Sequence, residues 1–147
     1  MKRKIQTERK ARIQHRHLII RAEIRYPLVH CGISDVYINH RLRQLIQDIG
    51  MKVVLAPRCV WVGEPGNEGY TGQAGLETSH ITYHIWNNPD KKIMQNKDAS
   101  ALLQMDVYTC GCLGKRQEKI IKKWVDDVFG IVVYESLLLD RAKELVV

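Results

Sequence analysis

Between Lys115 and Phe129 the residues Ile120, Ile121, Trp124, Val125, Val128 and Phe129 fall on one side of a helix, with Lys and Glu opposite and Gly130 to stop it. A helix with a single apolar stripe must lie on another apolar surface, so this segment alone commits the chain to a layered fold. A second such segment follows Ser34, which has the chemistry of an N-cap. There Ile38, Leu42, Leu45, Ile46 and Ile49 recur at helical spacing as far as Gly50.

The layer beneath these helices is written in the other period. Residues 18–26 alternate, with Leu18, Ile20, Ala22 and Ile24 on one face and Ile19, Arg21, Glu23 and Arg25 on the other, as in a half-buried strand. Residues 53–56 and 59–62 are β-prone but interrupted by Pro57, which leaves a bulge, an edge strand or two short strands open. The glycine-rich stretch 63–75 reads as loop, at least in part. Residues 79–86, rich in β-branched and aromatic side chains, predict a strand, and 87–100 a polar connection. A strand over 102–109 closes at the Cys110-Gly111-Cys112 turn, a last strand spans 131–135, and 136–147 reads as a short helix. The predicted class is α+β: a two-layer sandwich, a mainly antiparallel sheet with two helices on one face. Its other face is left to solvent or to another subunit.

Charge narrows the function classes. The formal charge is +7, but the 17 residues from Met1 to His17 hold seven Lys/Arg against Glu8 alone, a net of +6, and the rest of the chain is nearly neutral. This divides the chain into a basic flexible arm over 1–15 and a folded domain over 16–147. The arm is either a solvated tail or a salt-sensitive contact for nucleic-acid phosphates, and no RNA- or DNA-binding motif in the body favours the second. No apolar run approaches the roughly 20 residues of a membrane span. The basic N-terminus is not followed by a signal-peptide core, so cytoplasm is the default expectation. Cys31, Cys59, Cys110 and Cys112 belong to a chain large enough to build its own core and are expected as reduced thiols.

The polar residues also offer a metal reading, since His80, His84, Cys110 and Cys112 are ligand types that zinc prefers. In a strand, however, His80 and His84 stand roughly 13 Å apart, too far to share one ion. No metal is expected.

A third reading starts from Ser79-His80-Ile81-Thr82-Tyr83-His84-Ile85-Trp86 and Asp106-Val107-Tyr108-Thr109-Cys110-Gly111. Together, in this order, they resemble the two signatures of the prokaryotic S-adenosylmethionine decarboxylases, small proenzymes that cut themselves to make a pyruvoyl cofactor. Arg16-His17-Leu18 and Gly69-Tyr70-Thr71-Gly72 add to the likeness, which spans roughly residues 16 to 135. The resemblance implies cleavage between Thr78 and Ser79. The serine hydroxyl attacks the preceding carbonyl to give an ester, elimination breaks the chain, and hydrolysis converts Ser79 to the pyruvoyl group. That ketone would form a Schiff base with the substrate amine and act as an electron sink while the carboxylate leaves. The same resemblance implies that His84 is the processing base, Thr71 a hydroxyl assisting ester formation, and Cys110 the acid that returns a proton to the substrate. Asp90 would bind the ribose hydroxyls, and Trp61 or Tyr70 would stack on adenine. It further implies a homodimer or dimer of dimers with opposed sheets and shared active sites, and Tyr83 and Ile85 are compatible with outward apolar residues at such a contact.

Several positions differ from the family pattern. Thr78 stands in place of a Glu, Arg21 in place of a strand-one Glu, and the connection from Asp90 to Asp106 is longer than usual. These differences fit a divergent member. They also leave open a decarboxylase of arginine or ornithine, or an unprocessed homologue that binds a ligand or partner without chemistry.

Overall fold

The computed structural model describes residues 14–26 and 35–141. Residues 1–13 of the arm predicted over 1–15, Cys31, the Ser34 cap and residues 142–147 lie outside the described residues. Within them the elements run β1 (Arg16–Ile24), α1 (Asp35–Asp48), β2 (Val53–Val62), β3 (Gly69–Leu76), β4 (Ser79–Trp86), β5 (Ala101–Thr109), α2 (Lys115–Phe129) and β6 (Ile131–Asp140). The strands form one sheet of order β2-β3-β4-β5-β1-β6, and every neighbouring pair is antiparallel.

The two periods sort the sheet's faces. Leu18, Ile20, Ala22 and Ile24 of β1 join Ile81, Tyr83 and Ile85 of β4 and Leu103, Met105 and Val107 of β5 in one core. Ile38, Leu42, Leu45 and Ile46 of α1 and Ile121, Trp124, Val125, Val128 and Phe129 of α2 close over them. The Trp124 indole donates to the Arg41 carbonyl at 2.9 Å and ties the helices together. Helix α1 ends as its sequence predicts: Gly50 takes φ 79° while the Gly50 and Met51 amides donate back to Gln47 and Ile46. The predicted α+β sandwich, with both helices on one face, is the observed fold.

Three expectations need correction. Of the stretch 63–75 expected as loop at least in part, 63–68 is loop, but 69–75 make up most of β3, whose glycines answer to close packing. A Cβ on Gly72 would lie 2.0 Å from the Tyr83 ring, and one on Gly69 would lie 1.7 Å from the Ile85 carbonyl oxygen. Residues 136–140 are not helical. They extend β6 because Ser136, Leu138 and Asp140 pair with Ile20, Leu18 and Arg16 of β1. Tyr83 and Ile85 do not face outward, since both are buried under the helices. Of the alternatives left open for 53–62, the edge strand is the one observed, with irregular register on both sides of Leu55 that accommodates Pro57.

The face away from the helices is only partly open. The connection 87–100 folds back across it as a strap, anchored on Glu23. That carboxylate is fully buried and accepts from the Gln95 amide at 2.6 Å and the Asn96 amide at 2.8 Å, with Arg21 at 3.0 Å. Arg21 also donates to the Ile93 carbonyl at 2.6 Å. Burial by itself would raise the Glu23 pKa, but the two amides and the guanidinium outweigh it and hold the carboxyl below its ordinary value.

Candidate active site

Strands β3 and β4 are joined by only two residues, Glu77 and Thr78, so the bond between Thr78 and Ser79 sits where a hairpin turn re-enters the sheet. Thr78 has φ 54°, the left-handed region, which a β-branched residue adopts at a cost on the order of 1–2 kcal/mol. Its hydroxyl donates to the Glu77 carbonyl at 2.7 Å, which helps hold that conformation.

The pairing of β4 with β5 brings Thr109 and Cys110 against this turn, 30 residues away in sequence. The Cys110 thiol donates to the Thr78 carbonyl oxygen at 2.7 Å, and the Cys110 amide donates to Ser79 Oγ at 3.1 Å. Ser79 Oγ donates in turn to Thr109 Oγ1 at 3.3 Å. One residue thus grips both the hydroxyl and the neighbouring carbonyl. A thiol hydrogen bond on that oxygen polarises the carbonyl toward attack, as an oxyanion-hole donor does.

Thr71 and His84 form a second cluster, paired across β3 and β4 with Thr71 Oγ1 and His84 Nδ1 3.0 Å apart. His84 lies five residues along β4 from Ser79, roughly 16 Å of extended strand. Within one chain the structure therefore does not bring Thr71 and His84 to the scissile bond. His80 belongs to neither cluster, since it stacks on Tyr108 with ring centroids 5.2 Å apart. No group of three or more His, Cys, Asp or Glu able to hold a metal occurs among the described residues.

Beside His84 opens a cleft of about 280 Å³ between the β2–β3 loop and the strap. Trp86, Leu102 and Ile93 supply its apolar lining and Glu68 and Asp90 its carboxylates. Asp90 lines this cleft, and one of its oxygens already accepts from the Lys92 amide at 2.9 Å. The Trp86 indole donates to Asn67 at 2.7 Å, which fixes the ring at the cleft, and His84 stands 5.8 Å from it. Trp86 was not among the candidate ligands read from sequence. The signal was available, because it is two residues beyond His84 in a strand and so shares its face.

Trp61 and Tyr70 do meet, with ring centroids 5.1 Å apart. They lie on the helix-covered face of the sheet, away from the cleft beside His84. Tyr70 pairs with the buried Ile85 and packs against the core, and both rings line a groove beside Asp35 and Asn39 of α1. Thr71 and His84 face the other way. The neighbouring Cys59 thiol has its pKa raised, chiefly by burial.

A family model described as S-adenosylmethionine decarboxylase matches residues 33–141. Among solved structures, the chain is similar to the adenosylmethionine decarboxylase from Aquifex aeolicus VF5, with a TM-score of 0.57 at 15% identity over 88% of this chain and 92% of that one. A comparison with curated protein sequences returned no match.

Proposed function

The chain belongs to the S-adenosylmethionine decarboxylase family, and on that premise we propose that it is a self-processing, pyruvoyl-dependent decarboxylase of S-adenosylmethionine, supplying the aminopropyl donor for spermidine synthesis. The observation that carries the reading is the double grip of Cys110 on the Ser79 hydroxyl and the Thr78 carbonyl, at a turn whose Thr78 backbone is strained. These residues fit formation of the cofactor from Ser79. The nucleophile, the polarised carbonyl and a residue of strained φ are all in one place.

Once formed, the pyruvoyl group supplies an electron-withdrawing carbonyl that stabilises the carbanion left by decarboxylation. The rest falls to the chain's own side chains. Cys110, already a donor in the proenzyme, is placed to return a proton at the reacting carbon. In a shared site, the cleft beside His84 of one protomer would bind the remainder of the substrate that reacts at Ser79 of the other. Trp86 offers a face for a purine, and Glu68 and Asp90 offer acceptors for ribose hydroxyls and countercharge for a sulfonium. A purine would cover more of the aromatic wall than the guanidinium of arginine or the amine of ornithine, which favours S-adenosylmethionine over them.

The roughly 16 Å between Ser79 and His84 gives a physical reason for the shared sites that the family resemblance implies. In a homodimer with opposed sheets, Thr71 and His84 of one protomer would serve the scissile bond of its partner.

Mass measurement under denaturing conditions tests the reading. Wild-type protein should give two chains, of 78 and 69 residues, since the cut follows Thr78 in a chain of 147. Ser79→Ala should remain whole. A wild-type chain that stays at 17.0 kDa under all conditions would overturn the proposal.

A further inference from the structure

We infer that Thr109 holds the Ser79 hydroxyl in its attacking position, an inference that rests on the self-processing reading and deepens it. Thr109 is 1% exposed, and with Glu23 it makes up the buried polar and charged residues among those described. A buried hydroxyl needs partners, and this one has two at the site. Its Oγ1 accepts from Ser79 Oγ at 3.3 Å and from the Gly111 amide at 2.8 Å.

The placement follows from the sheet. His80 pairs with Tyr108, so the next rung sets Ser79 beside Thr109, and their side chains share a face. The second bond, from the Gly111 amide, anchors Thr109 itself through the bend that carries Cys110.

In ester formation the bond from Ser79 Oγ to the Thr78 carbonyl carbon forms and the Thr78–Ser79 carbon–nitrogen bond breaks. The hydroxyl proton ends on the Ser79 nitrogen, now an amine, and nothing is oxidised or reduced. Before the step, a free serine hydroxyl samples several staggered positions. Here the Cys110 amide occupies one lone pair and Thr109 Oγ1 receives the proton, which leaves a defined orientation for attack. Family resemblance gives hydroxyl assistance to Thr71, but Thr71 is engaged with His84 far along the strand. Thr109 is the hydroxyl in contact with the nucleophile within the same chain.

The test compares Thr109→Val, which keeps the shape, with Thr109→Ser, which keeps the hydroxyl, both purified as full-length protein. First-order cleavage of the Val variant should be about 100-fold slower than wild type, the scale of a misaligned reacting group, while the Ser variant stays within about threefold. Hydroxylamine, which splits an ester but not an amide, should leave the uncut Val variant intact, because its block precedes the ester. A Val variant that cuts within threefold of wild type, a Ser variant as slow as Val, or an uncut Val chain that hydroxylamine splits would each overturn the assignment. If the Val variant does not fold, Thr109→Cys is read by the same criteria. A wild-type chain that never cuts, or a Ser79→Ala chain that does, would instead sink the self-processing reading itself.

Discussion

The Cys110 thiol and the Thr78 carbonyl oxygen lie 2.7 Å apart, with the thiol as donor, although 32 residues separate them. If that bond stabilises the oxyanion of the processing step, its loss should appear in the rate of chain cleavage before any substrate is added. Cys110→Ala should slow self-cleavage by about 100-fold or more, the usual effect of removing one oxyanion donor. Cys110→Ser, which still donates, should retain more of the rate. Time courses on denaturing gels decide it, and equal rates for Ala and wild type would show that the thiol is a bystander in processing.

The cleft makes a separate demand on Trp86. Base stacking on an aromatic ring contributes about 1–3 kcal/mol, so Trp86→Ala should raise KM for S-adenosylmethionine about 10-fold or more with a smaller change in kcat. Steady-state carbon dioxide release measures both constants. A fall in kcat at constant KM would instead place Trp86 in the chemical step, through its neighbour His84.

Acid should loosen the strap. Glu23 titrates lower in the folded chain than its ordinary value of 4.5. Its stabilising contribution is therefore complete above that value and is lost as pH falls through the folded pKa. Protection of the Gln95 and Asn96 amides, taken relative to their intrinsic exchange rates, should fall as the pH drops below about 4.5 in wild type. In Glu23→Gln that protection should already be low at neutral pH and vary less. Glu23→Ala, which strands two amides and a guanidinium, should cost about 3 kcal/mol in urea denaturation. Identical exchange profiles in wild type and Glu23→Gln would mean that the carboxylate does not hold the strap.

Gly72 leaves little room for substitution. A methyl group there would collide with the Tyr83 ring, which is itself buried by helix packing. Gly72→Ala should destabilise by about 3 kcal/mol, the upper range for an overpacked core. Urea titration in a Ser79→Ala background, where the chain stays whole, gives the number, and a loss below about 0.5 kcal/mol would show that Tyr83 can move.

The same glycine explains where the sequence was readable. β4 and α2 keep clean periods of 2 and 3.6 and have the predicted bounds, 79–86 and 115–129. β3 was hidden because Gly69, Gly72 and Gly75 look like loop until the partners they must accommodate are known. β6 was cut short because 136–140 has no strong alternation of its own and is held by pairing with β1. At the candidate site, motif order pointed to Ser79 and Cys110, and the antiparallel pairing of β4 with β5 brings them together. Trp61 and Tyr70 were chosen on chemistry alone; the pairing of Tyr70 with Ile85 puts them on the helix-covered face, whereas Trp86 shares the face of His84 and lines the cleft.

The strand order has a consequence for what cleavage after Thr78 would produce. The first product would own β1, β2 and β3 and the second β4, β5 and β6, yet β1 lies between β5 and β6. The two pieces would be interleaved, held by two sheet seams on β1 and another between β3 and β4. Neither could leave without breaking the ladder, so the cut protein would behave as one particle until denatured. Reassembly from separated pieces would be a bimolecular threading problem that the uncut chain never faces. Folding must therefore come first and cutting second, and the mature form would inherit an arrangement that only the intact precursor can easily reach.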